Sequence, residues 1–197
     1  MSYPTIYLIR HGETVWNLEG RYQGKKNSPL TLKGESQAKA NAIKLANNIV
    51  NFDEVKIYAS PLGRARDTAF IICDELNIDR DKIIFDKRIE EFDYGIFEGQ
   101  LKSFCQTKYA TEFNAREADK WNYQIENGES YEIVTQRLKL WLEEVKDEKI
   151  VILIAHEMIN RALRGLYLNF EHEKTLKLRQ PNELLLLLKN EEELTIT

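Results

Sequence analysis

The chain predicts an α/β fold, a three-layer α/β/α sandwich built on a mostly parallel central sheet. Short apolar runs at Ile6 to Ile9, Val55 to Tyr58, Ile83 to Phe85, Ile150 to Ala155 and Leu184 to Leu188 have the length of buried strands. Between them lie segments with apolar residues at helical spacing, and strands that alternate with helices form a sheet covered on both faces. The first run ends abruptly in Arg10-His11-Gly12, and open α/β sheets collect ligands just beyond the carboxyl ends of their strands.

The elements follow in order. After the strand at Ile6 to Ile9, a helix begins after Leu32, with Gly34 near its start. Ala38, Ala42, Ile43, Leu45, Ala46 and Ile49 are its sheet-facing positions, and Asn47-Asn48 is its solvated end. The strand at Val55 to Tyr58 leads into a helix opened by Ser60-Pro61, with Ala65, Ala69, Ile72 and Leu76 as the inner stripe. The strand at Ile83 to Phe85 comes next. Residues 100–127 then interrupt the rhythm with aromatic and charged side chains, among them Phe104, Tyr109, Phe113, Trp121 and Tyr123, and are expected to form a helical cap over the site. Ser130 is the N-cap of a helix running to about Lys146, with Ile133, Val134, Leu138, Trp141, Leu142 and Val145 facing inward. Glu191-Glu192-Glu193 reads as a turn before a last short strand.

A length of 197 residues suits a single domain, 1–197, with a sizeable core. A formal charge of −4 gives no net attraction to nucleic acid or to an acidic membrane. No apolar stretch approaches the length of a membrane span, and Met1-Ser2-Tyr3-Pro4 lacks the basic and apolar regions of a signal peptide, so a cytoplasmic location is expected. Cys73 and Cys105 are isolated and read as free core thiols. His11, His156 and His172 have no close-spaced metal-ligand pattern, and no metal is expected.

Arg10 and His11 together suit a phosphoryl group. Guanidinium offers a bidentate fork to phosphoryl oxygens, and an imidazole with one unprotonated nitrogen can attack phosphorus. Gly12 is expected to let the backbone turn sharply around the bound group.

The motifs extend well past that juncture. Arg10-His11-Gly12-Glu13-Thr14 with Trp16-Asn17, Gly20-Arg21-Tyr22-Gln23-Gly24, Ser28-Pro29-Leu30-Thr31 with Gly34, Gln37 and Ala38, and Ser60-Pro61-Leu62-Gly63-Arg64-Ala65 occur in this order. Glu91 with Gly95 through Gly99, Gly128-Glu129-Ser130 and Ala155-His156 follow. Together they resemble the histidine phosphatase superfamily, which includes the cofactor-dependent phosphoglycerate mutases.

The resemblance implies that His11 becomes phosphorylated, that Arg10 and Arg64 hold the phosphoryl oxygens, and that His156 is the second histidine of the site. Spacing alone leaves Arg66 as an alternative to Arg64; the motif favours Arg64. Asn17 and Gly24 fall among the substrate-binding positions, although an Asn there also suits a turn cap. Protonating the leaving alkoxide requires a carboxylic acid with a raised pKa. Glu90, Glu91 and Asp93 are candidates, and alignment through Gly95-Ile96-Phe97-Glu98-Gly99 selects Glu91.

One departure concerns Glu157. Relatives commonly carry Gly after the second histidine, and a carboxylate aimed at phosphate repels it. In the first turn of a helix the same Glu can face outward while its backbone N–H still points at the ligand. Glu157 therefore stays among the substrate-binding positions.

These residues imply a metal-independent phosphatase acting on a small phosphorylated metabolite, with no nucleic acid or membrane as partner and no cofactor. The alternative is a phosphoglycerate mutase, for which 2,3-bisphosphoglycerate would be the cofactor. Tyr94, Lys102 and Arg116 resemble groups with which mutases hold a substrate carboxylate, and they make a carboxylated metabolite compatible with the site. Chain length, Lys25 where mutases carry Trp, and Glu157-Met158 in place of Gly-Asn all favour hydrolysis. A phosphoprotein phosphatase needs a shallow mouth, and a non-catalytic phosphate-binding module would need neither nucleophile nor acid.

Overall fold

A computed structural model describes residues 3–197; Met1 and Ser2, part of the stretch read above for a leader, lie outside the described residues. Six strands form one mixed sheet: β1 (Thr5–Arg10), β2 (Val55–Ala59), β3 (Ile83–Phe85), β4 (Ile150–Ala155), β5 (Leu185–Lys189) and β6 (Glu192–Ile196). Their order across the sheet is β3-β2-β4-β1-β5-β6. The first three pairings in that order are parallel, and β5 and β6 are added antiparallel.

The period of two along the central strands creates the three layers. Tyr7 and Ile9 of β1, Ile57 and Ala59 of β2, and Ile152 and Ile154 of β4 face a core completed by α2 (Leu32–Asn48) and α3 (Gly63–Glu75). Ile6, Leu8, Tyr58, Val151 and Leu153 face the opposite core, covered by α6 (Tyr131–Val145) and α7 (Glu157–Tyr167). Both cysteines are free and buried. Among the described residues, no helix is long and apolar enough to cross a membrane.

Three inward assignments change, and one of them is Ala46, which is exposed because it lies one helical step of about 100° past the buried Leu45. Ile43 is 60% exposed, because a helical step of about 100° carries it away from the buried Ala42 and Leu45. Ile133 is only half-buried, because it lies one helical step of about 100° from Val134 on a buried stripe that begins at Tyr131.

The 100–127 segment contains α4 (Lys102–Lys108) and α5 (Ala110–Ala118), while the remainder up to α6 has no helix. Its aromatics secure it to the body: Trp121 stacks on Tyr131 with centroids 5.7 Å apart, Tyr109 packs on Phe97 at 5.9 Å, and Tyr123 donates to Glu112. Near the C-terminus, the turn is confined to Asn190 and Glu191, with φ of 52° and 61°. Glu193 lies in β6 and accepts from Arg164 at 2.6 Å, so it is an ion-pair partner of α7.

The register sets up the site. Arg10 is level with Ala155 across the parallel β1–β4 pair, so His11 and His156 emerge side by side one residue later. Ser60 emerges beside them after β2, donating its N–H to the carbonyl of Ile154 at 3.0 Å. Gly12 has no positive φ among the described backbone exceptions. Its requirement is close approach: a Cβ there would lie 2.2 Å from the carbonyl oxygen of Gly34, at the start of α2.

Candidate active site

His11 is 2% exposed, and each ring nitrogen has one neighbour. Nδ1 lies 2.7 Å from its hydrogen-bond partner, the carbonyl oxygen of Gly12. A carbonyl only accepts, so Nδ1 carries the proton and Nε2 is left with a lone pair. Arg64 Nε donates to that Nε2 at 3.2 Å. Burial first, then the charges of Arg64 and Arg10, hold the His11 pKa well below the ordinary histidine value of 6.5. The imidazole is therefore neutral at physiological pH.

Arg64 is placed by the first turn of α3 and oriented by the loop after α1 (Val15–Glu19). Its Nη1 donates to the carbonyl of Lys26 at 2.8 Å and its Nη2 to that of Gly24 at 2.7 Å. Burial lowers its pKa to about 10, which leaves it cationic at neutral pH. Gly24 adopts φ +56°, and a Cβ there would meet the Glu98 carboxylate at 1.8 Å, so glycine is needed where this loop folds down. Arg66 is outside the site, paired with Asp67.

Arg10 uses Nη1 to reach the carbonyl of Gln180 at 2.9 Å and Glu157 Oε2 at 3.0 Å, while its buried Nε has no protein partner. His156 is fully buried, its ring centroid 5.3 Å from that of His11. Its Nε2 is bonded to Ser60 Oγ at 2.7 Å, and its Nδ1 has no protein partner. Burial, followed by Arg64 and His11, lowers its pKa well below the usual value. Two unpartnered, buried nitrogens, Arg10 Nε and His156 Nδ1, beside a neutral imidazole are unusual in a finished core.

Glu91 is 7% exposed and lines the same pocket as Arg10, His11 and Arg64. Burial raises its carboxyl pKa, against the opposing pull of Arg64 and of its hydrogen bond from the Phe92 amide. Glu90 and Asp93 lie outside the pocket near Lys25, their carboxylates 4.0 and 3.7 Å from its amine.

Asn17 combines both roles considered for it. Its Oδ1 accepts from the Thr14 amide at 3.1 Å in a capping box, and the residue also lines the pocket. Tyr94 and Lys102 line the mouth, but Arg116 does not: it is buried with its guanidinium 5.7 Å from the Tyr94 ring centroid and paired with Glu117. The cap thus contributes Lys102 to the pocket, and none of its five aromatics reaches it.

Glu157 does not face outward. Its carboxylate lies in the pocket wall between Arg10 and Arg161, both at 3.0 Å, because two cations outweigh the outward preference of a first-turn acid. Arg21, Tyr22, Gln23 and Met158, whose place in the wall no local pattern in the sequence marks, also line the pocket. Thr68 supports the loop that carries His11, accepting from Gly12 N at 3.0 Å and donating to Arg64 O at 2.7 Å. Asn182 donates to the carbonyl of His11 at 2.6 Å.

A profile of the histidine phosphatase superfamily (branch 1) matches residues 6–195. The chain belongs to the histidine phosphatase superfamily. Phosphoserine phosphatase 1 of Hydrogenobacter thermophilus is 33% identical over 161 residues, covering 80% of this chain and 73% of that protein. The Escherichia coli protein named "Probable phosphoglycerate mutase GpmB" is 36% identical over 151 residues, covering 72% of this chain and 63% of its own length. The crystal structure of the alpha-ribazole phosphatase from Shigella flexneri superposes with a TM-score of 0.81 at 24% identity, covering 98% of this chain and 94% of the other. The superfamily thus includes relatives named as phosphatases and as mutases, and this chain has their α/β architecture.

Proposed function

We propose that this histidine phosphatase superfamily member is a metal-independent phosphatase that hydrolyses a small phosphorylated metabolite through a phosphohistidine on His11. The observation that carries the proposal is the polarity of His11: Nδ1–H is committed to the Gly12 carbonyl, and the lone pair on Nε2 is turned towards Arg64 in a pocket that also holds Glu91.

In the first half-reaction, Nε2 of His11 forms a bond to phosphorus as the bond to the substrate oxygen breaks. Arg64 Nε moves from His11 Nε2 to a phosphoryl oxygen, the unpartnered Nε of Arg10 takes another, and Nδ1–H of His156 donates to the group, with Nε2 of that ring accepting from Ser60. These donors meet charge spread over the phosphoryl oxygens, where electrostatic stabilisation does most of the catalytic work. Glu91 enters as the carboxylic acid and transfers its proton to the leaving alkoxide. In the second half-reaction the Glu91 carboxylate takes a proton from water as that water attacks phosphorus. The P–N bond breaks, releasing phosphate, and both His11 and Glu91 return to their starting states.

The mutase reading shares the first half-reaction and returns the phosphoryl group to a substrate hydroxyl, with 2,3-bisphosphoglycerate as cofactor. Tyr94 and Lys102 at the mouth favour it, and they equally support a carboxylated substrate for the hydrolase. Lys25 and the inward carboxylate of Glu157 favour hydrolysis. The deciding experiment incubates the protein with phosphorylated metabolites in the presence of chelator, follows free phosphate, and includes 3-phosphoglycerate with 2,3-bisphosphoglycerate. Phosphate release that disappears in His11→Ala is the expected result. Isomerisation without release would establish the mutase, and inactivity on every compound would overturn both.

A further inference from the structure

Glu157 places a negative charge in the wall of a pocket suited to an anion, and the surrounding cations decide its effect. Oε2 faces Arg10 Nη1 at 3.0 Å, Oε1 faces Arg161 Nη2 at 3.0 Å, and Arg179 stands 3.6 Å away with a side chain that is 70% exposed. Water screens Arg179, so the buried partner is Arg161. Arg161 sits one turn along α7 from Glu157, with Nε donating to the Leu178 carbonyl and Nη1 to the Tyr131 hydroxyl, each at 2.8 Å. Nη1 also meets Met158 Sδ at 3.3 Å, so the guanidinium is held by Leu178, Tyr131, Met158 and Glu157.

The charges form a row from the pocket inward: Arg10 positive, Glu157 negative, Arg161 positive. The row carries one net positive charge, and Arg64, with Arg21 and Lys102 further along the pocket lining, adds to it, so the site is cationic overall and suits a phosphomonoester dianion. Without Arg161, Glu157 would offset Arg10 and confront the phosphoryl group with a poorly compensated carboxylate at a half-buried position. Resting on the phosphoryl pocket described above, we propose that Arg161 is a positioning residue for substrate phosphate: by holding and balancing the charge of Glu157, it leaves the charge of Arg10 free to act on the phosphoryl oxygens.

The test is binding of inorganic phosphate, measured by calorimetry at neutral pH on the full chain, with circular dichroism to verify folding. Arg161→Met is expected to weaken binding by about tenfold or more. Glu157→Gln placed in the same chain removes the uncompensated charge and should restore binding to within about threefold of the parent, although the bonds to Leu178 and Tyr131 remain lost. That rescue separates an electrostatic role from a merely structural one. Arg161→Lys keeps the charge while surrendering the guanidinium fork, so it should also bind within about threefold of the parent. If Arg161→Met does not fold, the lysine variant decides, and a folded Arg161→Lys that loses about tenfold overturns the proposal. Parent-like binding by Arg161→Met, or a double variant no better than the single, also overturns it. Absence of both phosphate binding and hydrolysis in the parent would instead remove the phosphoryl-pocket reading on which it rests.

Discussion

Arg64 Nε and His11 Nε2 are 3.2 Å apart, and the opposite nitrogen of the same imidazole is bonded to the Gly12 carbonyl at 2.7 Å. The carbonyl fixes the proton on Nδ1, and the guanidinium holds the lone pair of Nε2 in the direction of the phosphoryl site. In the proposed mechanism, Arg64→Met removes a donor that serves His11 before transfer and the phosphoryl group during it. Loss of one preorganised donor of this kind costs about 10²-fold in kcat. Steady-state phosphate release should show at least that loss, with His11→Ala inactive, while an unchanged kcat would contradict the assignment of Arg64.

The two buried histidines make a prediction about acid stability. His156 has a folded-state pKa well below 6.5, chiefly from burial and then from Arg64 and His11. Below pH 6.5 the unfolded chain takes up a proton that the folded chain refuses, so folded stability falls as pH decreases until the depressed folded pKa is reached. Each such group contributes a slope of up to about 1.4 kcal/mol per pH unit in that window. In denaturant unfolding at several pH values below 6.5, the stability difference between the parent and His156→Gln should shift by about that amount per unit in the variant's favour as pH falls. A pH-independent difference would mean that His156 is readily protonated in the folded protein.

The raised pKa of Glu91 acts in the opposite direction on activity. In the proposed mechanism the acid form of Glu91 protonates the leaving group, so kcat/KM for an alkyl phosphate should decline as pH rises through the Glu91 pKa. Glu91→Gln should abolish that limb and lower turnover by about 10²-fold or more on alkyl phosphates. The loss in the phosphorylation step should be smaller for p-nitrophenyl phosphate, whose phenolate leaves without help. Single-turnover measurements that show equal losses on both substrates would remove Glu91 from the acid role.

The sheet and the Arg10-His11 juncture are legible in the sequence because apolar runs and helical spacing are local signals. Ile43 is misplaced because one residue of drift on a 3.6-residue period turns a side chain from core to solvent, and the apolar residues around it mask the true stripe. The inward turn of Glu157 depends on two arginines, one of them 147 positions earlier in the chain, although the spacing of Glu157 and Arg161 by four residues on one helix was an available signal. Arg116 illustrates the reverse: a cation near the mouth in sequence is turned behind Tyr94 by the packing of α5. Asn182 and Ser60 reach the histidines through contacts between distant segments, which no local pattern announces.

Gly12 tests the architecture apart from the chemistry. A methyl group at this position would meet the Gly34 carbonyl at 2.2 Å, and the neighbouring atoms belong to backbone at the start of α2. Neither side can rotate away, so α2 or the nucleophile loop must shift. Gly12→Ala should destabilise the fold by about 3 kcal/mol, measured by denaturant unfolding, and should depress kcat further by moving His11. A variant with parent-like stability would show that the loop has slack, and the close Gly12–Gly34 contact would then have no energetic consequence.

Lys102 offers the most direct route to the substrate class. Its amine stands at the pocket mouth, 5.8 Å from the centroid of the Tyr22 ring, and it begins α4 on the one stretch of the cap that reaches the pocket. Its distance in function from the phosphoryl donors makes it a reader of the rest of the substrate. If the substrate carries a carboxylate, Lys102→Ala should raise KM for carboxylated phosphates by about tenfold, the scale of one lost charge-assisted hydrogen bond. It should leave KM for a neutral aryl phosphate unchanged, since the phosphoryl contacts proposed for Arg10, Arg64 and His156 are untouched. An equal effect on both classes would place Lys102 on the phosphoryl group itself, and no effect on either would make it a solvated cation on the rim. The split between the two substrates therefore decides whether the mouth recognises an acid, independently of whether the phosphoryl group is finally passed to water or to a second hydroxyl.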